Sequence, residues 1–206
     1  MVFVLTSYKV GYSTLLSQEQ SGLKYLHYII NFSIFKYLIK YFSYKRHLIV
    51  RNPYNRFLSL FSDKFRKQPQ RILDGLHSWE NVHICLFSHL NIKQSDSDKT
   101  IASKFFEMSI SDFIKLIPLV ISEDEHFMPQ TATKQFRLFD RFPINLRING
   151  FFRIEDQQAE LTKLTGIDFG VKKNTSNSKR LKDKLSEKDF LVLNKFYKND
   201  FLLGNY

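Results

Sequence analysis

Two arginines, a proline and a serine in the order R-x-P-x-x-R-x-x-S, from Arg51 to Ser59, have the chemistry of a phosphate site. A guanidinium offers a fork of donors and a hydroxyl adds another. A helix start leaves backbone N–H groups without intrahelical partners. The neighbouring residues supply the elements that would position them. Leu48, Ile49 and Val50 form a short apolar run between His47 and Arg51, the pattern of an interior strand. Pro53 suits a first helical turn, where its missing N–H costs nothing. Phe57, Leu58, Leu60 and Phe61 then give that helix a core side. Arg56 and Ser59, three apart, fall on one face. Arg51 thus stands at the C-terminal end of a strand, where open α/β sheets bind their ligands.

Two other clusters carry chemistry. Val2 to Leu5 is an apolar run that reads as the first strand of a parallel sheet, and Lys9, Val10, Gly11, Tyr12, Ser13 and Thr14 follow it into a helical pattern. A strand, glycine turn and helix in that order can cradle a phosphate on backbone N–H groups. It is not a Walker A loop, because the lysine precedes the glycine. The segment SEDEHFMPQ, Ser122 to Gln130, sets three acids before His126. Histidine is the natural general base near neutral pH, and the acids are placed to orient it. Glu125 and the other histidines are alternative bases.

The order of these motifs resembles sulfotransferases that use 3′-phosphoadenosine 5′-phosphosulfate (PAPS). R-x-P-x-x-R-x-x-S resembles their 3′-phosphate signature, and VRNPYNRFLSLFSDKF is similar to the carbohydrate branch. The resemblance implies that Arg51 and Ser59 hold the 3′-phosphate. The loop after the first strand resembles their Pro-Lys-x-x-x-Thr/Ser loop, with Tyr8 for the proline and Tyr12 at a position usually small. It implies that Lys9 is catalytic and that residues Lys9, Val10, Gly11, Tyr12, Ser13 and Thr14 wrap the 5′-phosphosulfate. SEDEHFMPQ resembles the H-W-x-P-Q segment beside the acceptor, with Phe127 for tryptophan, which makes His126 the implied base. NTSNSKRLKDK resembles the N-x-S-K loop over the nucleotide, with Ser178 and Lys179 as phosphate contacts. FYKNDFLLGNY resembles the family's C-terminal Y-x-x-D-F pattern.

Composition bounds the reading. A chain of 206 residues can bury a real core and is expected to form a single domain over 1–206. Hydrophobic content is 43% and charged content 25%, which excludes a disordered chain. The lone cysteine, Cys85, excludes an internal disulfide framework and a cysteine-rich zinc site, and its apolar setting marks it as core. His77, His83 and His89 share no metal-ligand spacing with a nearby carboxylate or cysteine pair, so no metal is expected. There is no apolar run of membrane-spanning length, and MVFVLTSYK is too short before Lys9 for a signal peptide. A soluble, cytoplasmic protein is expected. The net charge of +11 favours an anionic partner. Two other classes meet that description, a phosphotransferase and a nucleic-acid-binding protein. Neither shows its marks: no Walker lysine or Mg²⁺ ligand pair, and no signature of a nucleic-acid-binding module.

Along the rest of the chain, residues 15–44 read as helix-rich and aromatic, and 68–90 as a helical excursion. NIKQSDSDK, Asn91 to Lys99, reads as a polar loop. Ser109 or Ser111 caps the next helix, and Arg147 to Ile154 reads as a strand. A helix over Glu155 to Leu164 ends at Gly166, with Arg153 paired to Glu155, and Ser186 to Asp189 resembles a capping box. The expected fold is α/β, the three-layer P-loop-like sulfotransferase fold with a mostly parallel central sheet. The implied reaction is in-line transfer of a sulfuryl group from PAPS to a hydroxyl of a carbohydrate acceptor, without a metal. The acceptor's identity and the oligomeric state are not legible.

Overall fold

Leu48, Ile49 and Val50 are all fully buried, as an uninterrupted apolar run predicts for a strand covered on both faces. They end strand β3, Lys45–Val50. The structure is a computed structural model that describes residues 2–6, 24–27, 45–138, 142–145, 148–169 and 185–206. Strands β1 (Val2–Thr6), β2 (Lys24–His27), β3 and β6 (Gly150–Arg153) form one sheet in the order β2-β1-β3-β6. All three pairings are parallel, with Leu5 opposite Leu26 and Leu48, and Leu48 opposite Phe151. Strands β4 (Gln135–Leu138) and β5 (Phe142–Asn145) make a separate antiparallel pair.

The chain divides into two compact units. The first comprises 1–52, 129–174 and 199–206. There Ile49 packs with Leu161, Ile167 and Phe169, while Leu48 and Val50 pack with Ile148 and Leu203. Leu161 belongs to helix α6, Gln158–Thr165, which stops at Gly166 with φ of +72°, a conformation open to glycine at little cost.

The second unit comprises 53–128 and 175–198. Among the described residues its α-helices are α1 (Pro53–Ser62), α2 (Gln68–Leu73), α3 (Asn81–Ile84), α4 (Asp98–Glu107), α5 (Ile110–Val120) and α7 (Glu187–Phe196). A π-helical turn, Asp63–Lys67, joins α1 to α2. The core is a run of phenylalanines. Phe113 stacks on Phe57 at 5.0 Å and meets Phe65 at 4.6 Å and Phe127 at 5.9 Å between ring centres. Ring pairs at such separations add attraction beyond burial alone. Helix α8, Lys198–Gly204, begins at the unit boundary and runs into the first unit.

Several sequence expectations change. Residues 24–27 lie in a strand rather than a helix, because KYLH finds a parallel partner in β1. The 68–90 stretch breaks at Gly75, whose φ of +73° ends α2, and resumes only as the single turns at Asn81–Ile84 and Ser88–Leu90. The polar loop ends early, since the Ser97 hydroxyl accepts the Thr100 N–H and starts α4. Of the strand expected over 147–154, Gly150–Arg153 form β6 and the Ile154 N–H donates to the Val50 carbonyl at 2.9 Å, while Arg147 lies outside the described residues. Arg153 pairs with Asp156 at 2.6 Å, not with Glu155, and α6 starts at Gln158. Ser109, not Ser111, caps α5, whereas Ser111 donates to Asp189. The capping box is present: Ser186 accepts the Asp189 N–H, and Asp189 accepts the Ser186 N–H at 2.8 Å.

Candidate functional site

In the first unit the sheet sets the place. β2 lies on one side of β1 and β3 on the other, so the strand order reverses between β1 and β3. The C-terminal edge at such a reversal is where open α/β sheets hold ligands. β1 ends at Thr6 and β3 at Val50, and being parallel they deliver the chain to the same edge. Arg51 is the first residue beyond β3.

The main chain of Arg51 is gripped by one side chain. The Arg51 N–H donates to Gln130 Oε1, and Gln130 Nε2 donates to the Arg51 carbonyl, both at 2.7 Å. Gln130 is fully buried, and its amide supplies the donor and acceptor that a neighbouring strand would have offered. Its own backbone is held in turn. Asp200, at 0% exposure in the first turn of α8, accepts the N–H of Gln130 at 2.7 Å and of Thr131 at 2.9 Å. Asn52 donates its N–H to Glu155 at 2.9 Å, and Tyr206 Oη donates to the other Glu155 oxygen at 2.8 Å. The exit of β3 is therefore held by side chains 79 and 103 residues away in sequence.

In the second unit Ser59 is half-buried on α1. Arg56, one turn earlier, is only 4% exposed. Its Nη2 donates to the His126 carbonyl at 3.2 Å and the Met128 carbonyl at 2.8 Å. The second arginine of the motif is thus a clamp on the SEDEHFMPQ loop. Two further contacts seat that loop. Phe127 is fully buried against Phe113, and Tyr197 Oη donates to the Phe127 carbonyl at 2.7 Å.

His126 and Asp124 are both 9% exposed. His126 Nδ1 lies 2.6 Å from Asp124 Oδ1, which also accepts the His126 backbone N–H at 2.9 Å. Asn81 donates to Asp124 Oδ2 at 3.1 Å and to the Glu123 carbonyl at 3.0 Å. Burial works to raise the Asp124 carboxyl, but the hydrogen bonds from His126 and Asn81 outweigh it and hold the group below the usual carboxylate range. Glu125 goes the other way, raised by burial and then by the Asp124 charge, and its Oε2 meets no hydrogen-bond partner. Cys85 is half-buried and burial pushes its thiol up to about 12, well outside the range of a reactive thiolate. His83 is wholly buried in the core of this unit.

Lys9, Val10, Gly11, Tyr12, Ser13, Thr14, Ser178 and Lys179 lie outside the described residues. Arg51 belongs to the first unit, and Ser59 and His126 to the second. Among the described residues no group of three histidine, cysteine or acidic side chains is placed to hold a metal ion. No helix among them is long and apolar enough to cross a membrane. Sequence reasoning does not single out Gln130, Asp200, Asn81, the hold of Glu155 on Asn52 or the clamping role of Arg56. The signal for the first two was the pairing of two resembling segments, M-P-Q and N-D-F, which the fold brings into contact.

The family model described as "Sulfotransferase family" matches residues 26–206, most of the chain. The chain belongs to the sulfotransferase family. The match takes in Arg51, Ser59, His126 and Gln130 and begins after the Lys9 loop. Searches of the curated proteins and of the solved structures return no match. The small parallel sheet with its helices is compatible with the α/β fold of a sulfotransferase, and membership makes the protein an enzyme of sulfuryl transfer to a hydroxyl acceptor.

Proposed function

We propose that this sulfotransferase takes its sulfuryl group from PAPS and passes it to a hydroxyl of a carbohydrate, working as one P-loop-like, three-layer domain over 1–206. The observation that carries the reading is the family match together with Arg51 held, by its main chain, at the strand exit beside the sheet's reversal point. The donor set fits the nucleotide. A 3′-phosphate asks for a cation and hydroxyl or amide donors, and Arg51 and Ser59 supply the first two. Lys9 and the Val10, Gly11, Tyr12, Ser13 and Thr14 loop would hold the 5′-phosphate end, with Ser178 and Lys179 as further contacts. The net charge of +11 suits both the nucleotide and an anionic sugar.

When bound, PAPS supplies the sulfuryl group: the acceptor oxygen bonds to sulfur as the bond from sulfur to the bridging oxygen breaks, and that electron pair stays on the phosphate. His126 takes the proton of the acceptor hydroxyl. An ammonium supplied by Lys9 where negative charge grows as the leaving oxygen departs would favour the transition state over the ground state. Arg56 and Phe127 keep the His126 loop in place.

The test pairs binding with chemistry. Thermal shift with 3′-phosphoadenosine 5′-phosphate should stabilise the protein well beyond ATP or single-stranded RNA, in proportion to ligand excess over Kd. Lys9→Ala should lower single-turnover transfer from labelled PAPS by about a hundredfold, the scale of losing one oxyanion donor, with little loss of nucleotide affinity. Equal stabilisation by ATP, or a wild-type rate in Lys9→Ala, would refute the reading.

A further inference from the structure

The SEDEHFMPQ loop has three acids before His126, and the fold treats them differently. Glu123 offers its backbone carbonyl to Asn81. The Glu125 carboxyl has one oxygen buried without a partner. Of the three acids, Asp124 is the one that reaches the imidazole. Its Oδ1 receives the His126 backbone N–H, an Asx-type turn that sets the loop's backbone, and lies 2.6 Å from Nδ1 of the same residue. Its Oδ2 receives the Asn81 amide at 3.1 Å. Asn81 opens α3 and also holds the Glu123 carbonyl, so the carboxylate plane is set from a second element as well as from its own loop. An ionised carboxylate only accepts hydrogen bonds. The nitrogen facing it must then carry the hydrogen, and in the neutral ring the other nitrogen carries the lone pair. The ring cannot slide out of this register easily, because Arg56 grips the carbonyls of His126 and Met128, and Phe127 is sunk in the phenylalanine core.

We infer that Asp124, aligned by Asn81, is the positioning residue that holds His126 as its Nδ1–H tautomer and so makes Nε2 the atom that takes the acceptor's proton. The catalytic half of this rests on His126 being the base, as argued above. The balance of the step is unchanged: the hydroxyl proton moves to Nε2, the oxygen–sulfur bond forms, and the electron pair of the broken bond leaves on the phosphate. Asp124 gains no proton.

Long-range ¹H–¹⁵N correlation spectra of the full chain read the tautomer directly, without nucleotide or acceptor. His126, assigned by its loss in His126→Ala, should show a protonated Nδ1 and a bare-type Nε2 shift in the neutral ring. Asp124→Asn should bring up the Nε2–H tautomer, since a carboxamide can donate as well as accept. Asn81→Ala should do so to a smaller extent. In single-turnover transfer from ³⁵S-labelled PAPS to a panel of desulfated oligosaccharides, Asp124→Asn should slow the rate by about a hundredfold, the scale of general-base catalysis, with affinity for 3′-phosphoadenosine 5′-phosphate within twofold of wild type. A dominant Nε2–H tautomer of His126 in the wild-type protein overturns the positioning role. An unaltered tautomer ratio in Asp124→Asn overturns it too. The expected spectra combined with wild-type transfer in His126→Ala would remove His126 as the base and overturn the catalytic half, leaving the tautomer assignment intact.

Discussion

Replacing Gln130 with leucine keeps most of its volume but removes the amide that joins both backbone groups of Arg51. The wild-type amide makes two hydrogen bonds of 2.7 Å from a fully buried position. Each buried backbone group left without a partner costs about 1–3 kcal/mol. Arg51 is only half-buried, so water recovers part of that. The expected loss of folding stability is about 2–4 kcal/mol. Nucleotide affinity should fall alongside it, by about tenfold or roughly 1.4 kcal/mol, because the main chain that carries the guanidinium then loses one of its two side-chain holds. Gln130→Glu sharpens the argument. A carboxylate still accepts the Arg51 N–H but turns a lone pair, and a buried charge, toward the Arg51 carbonyl, so it should be worse than leucine. The assay is urea unfolding followed by calorimetry with 3′-phosphoadenosine 5′-phosphate. A Gln130→Leu protein within about 0.5 kcal/mol of wild type, the range of a neutral surface change, and with unchanged nucleotide affinity, would refute the reasoning.

Other outcomes follow from the same geometry. Arg51→Ala and Ser59→Ala should each weaken nucleotide binding by about 1.5–3 kcal/mol, the arginine change more, while urea midpoints stay close to wild type; unchanged affinity in calorimetry for Arg51→Ala would remove the 3′-phosphate assignment. Arg56→Met should leave the carbonyls of His126 and Met128 without their donor and cost about 2–4 kcal/mol of stability, with transfer slowed more than nucleotide binding; a loss confined to nucleotide affinity would mean that Arg56 is a phosphate ligand instead. His83 gives a pH dependence: burial pushes its pKa down to about 4, against the ordinary 6.5. Below pH 6.5 the unfolded chain takes up a proton that the folded chain refuses until near pH 4, so stability is full above that window and falls by about 3 kcal/mol across it. Urea midpoints between pH 7 and 4.5 should show the slope, and His83→Phe, seated among Phe65, Phe105 and Trp79, should flatten it; equal slopes in the two proteins would contradict a neutral buried His83.

What the sequence alone makes legible is local. The β3 strand, the helix begun by Pro53, the stop at Gly166 and the Ser186 capping box each depend on residues within a few positions of one another. Apolar runs, imino rings, positive-φ positions and short hydroxyl-to-backbone reaches are encoded at that range. The structure departs from these expectations where two partners of similar chemistry compete or where the partner is distant in sequence. Arg153 chose Asp156 over Glu155 because the turn at 154–156 put Asp156 within reach, while Glu155 was drawn to Asn52 and Tyr206. KYLH falls within a stretch that reads as helix-rich, because its strand pairing lies in β1, outside any local window.

By itself the sequence determined the family's motifs, their order and the residue types that could bind phosphate or move a proton, since these are properties of side chains and short spacings. Only the tertiary structure decided what each does to its neighbours. Gln130 grips Arg51 across 79 positions, Asp200 holds Gln130 across 70, Arg56 clamps the His126 loop across 70, and Asn81 sets Asp124 across 43. A hydrogen bond needs its two groups within about 3 Å and in line. Separation along the chain carries no information about that distance until the strands have paired and the phenylalanines have packed, so three acids of similar chemistry in one loop became a positioning group, a carbonyl contact and a partly buried carboxyl only through the fold.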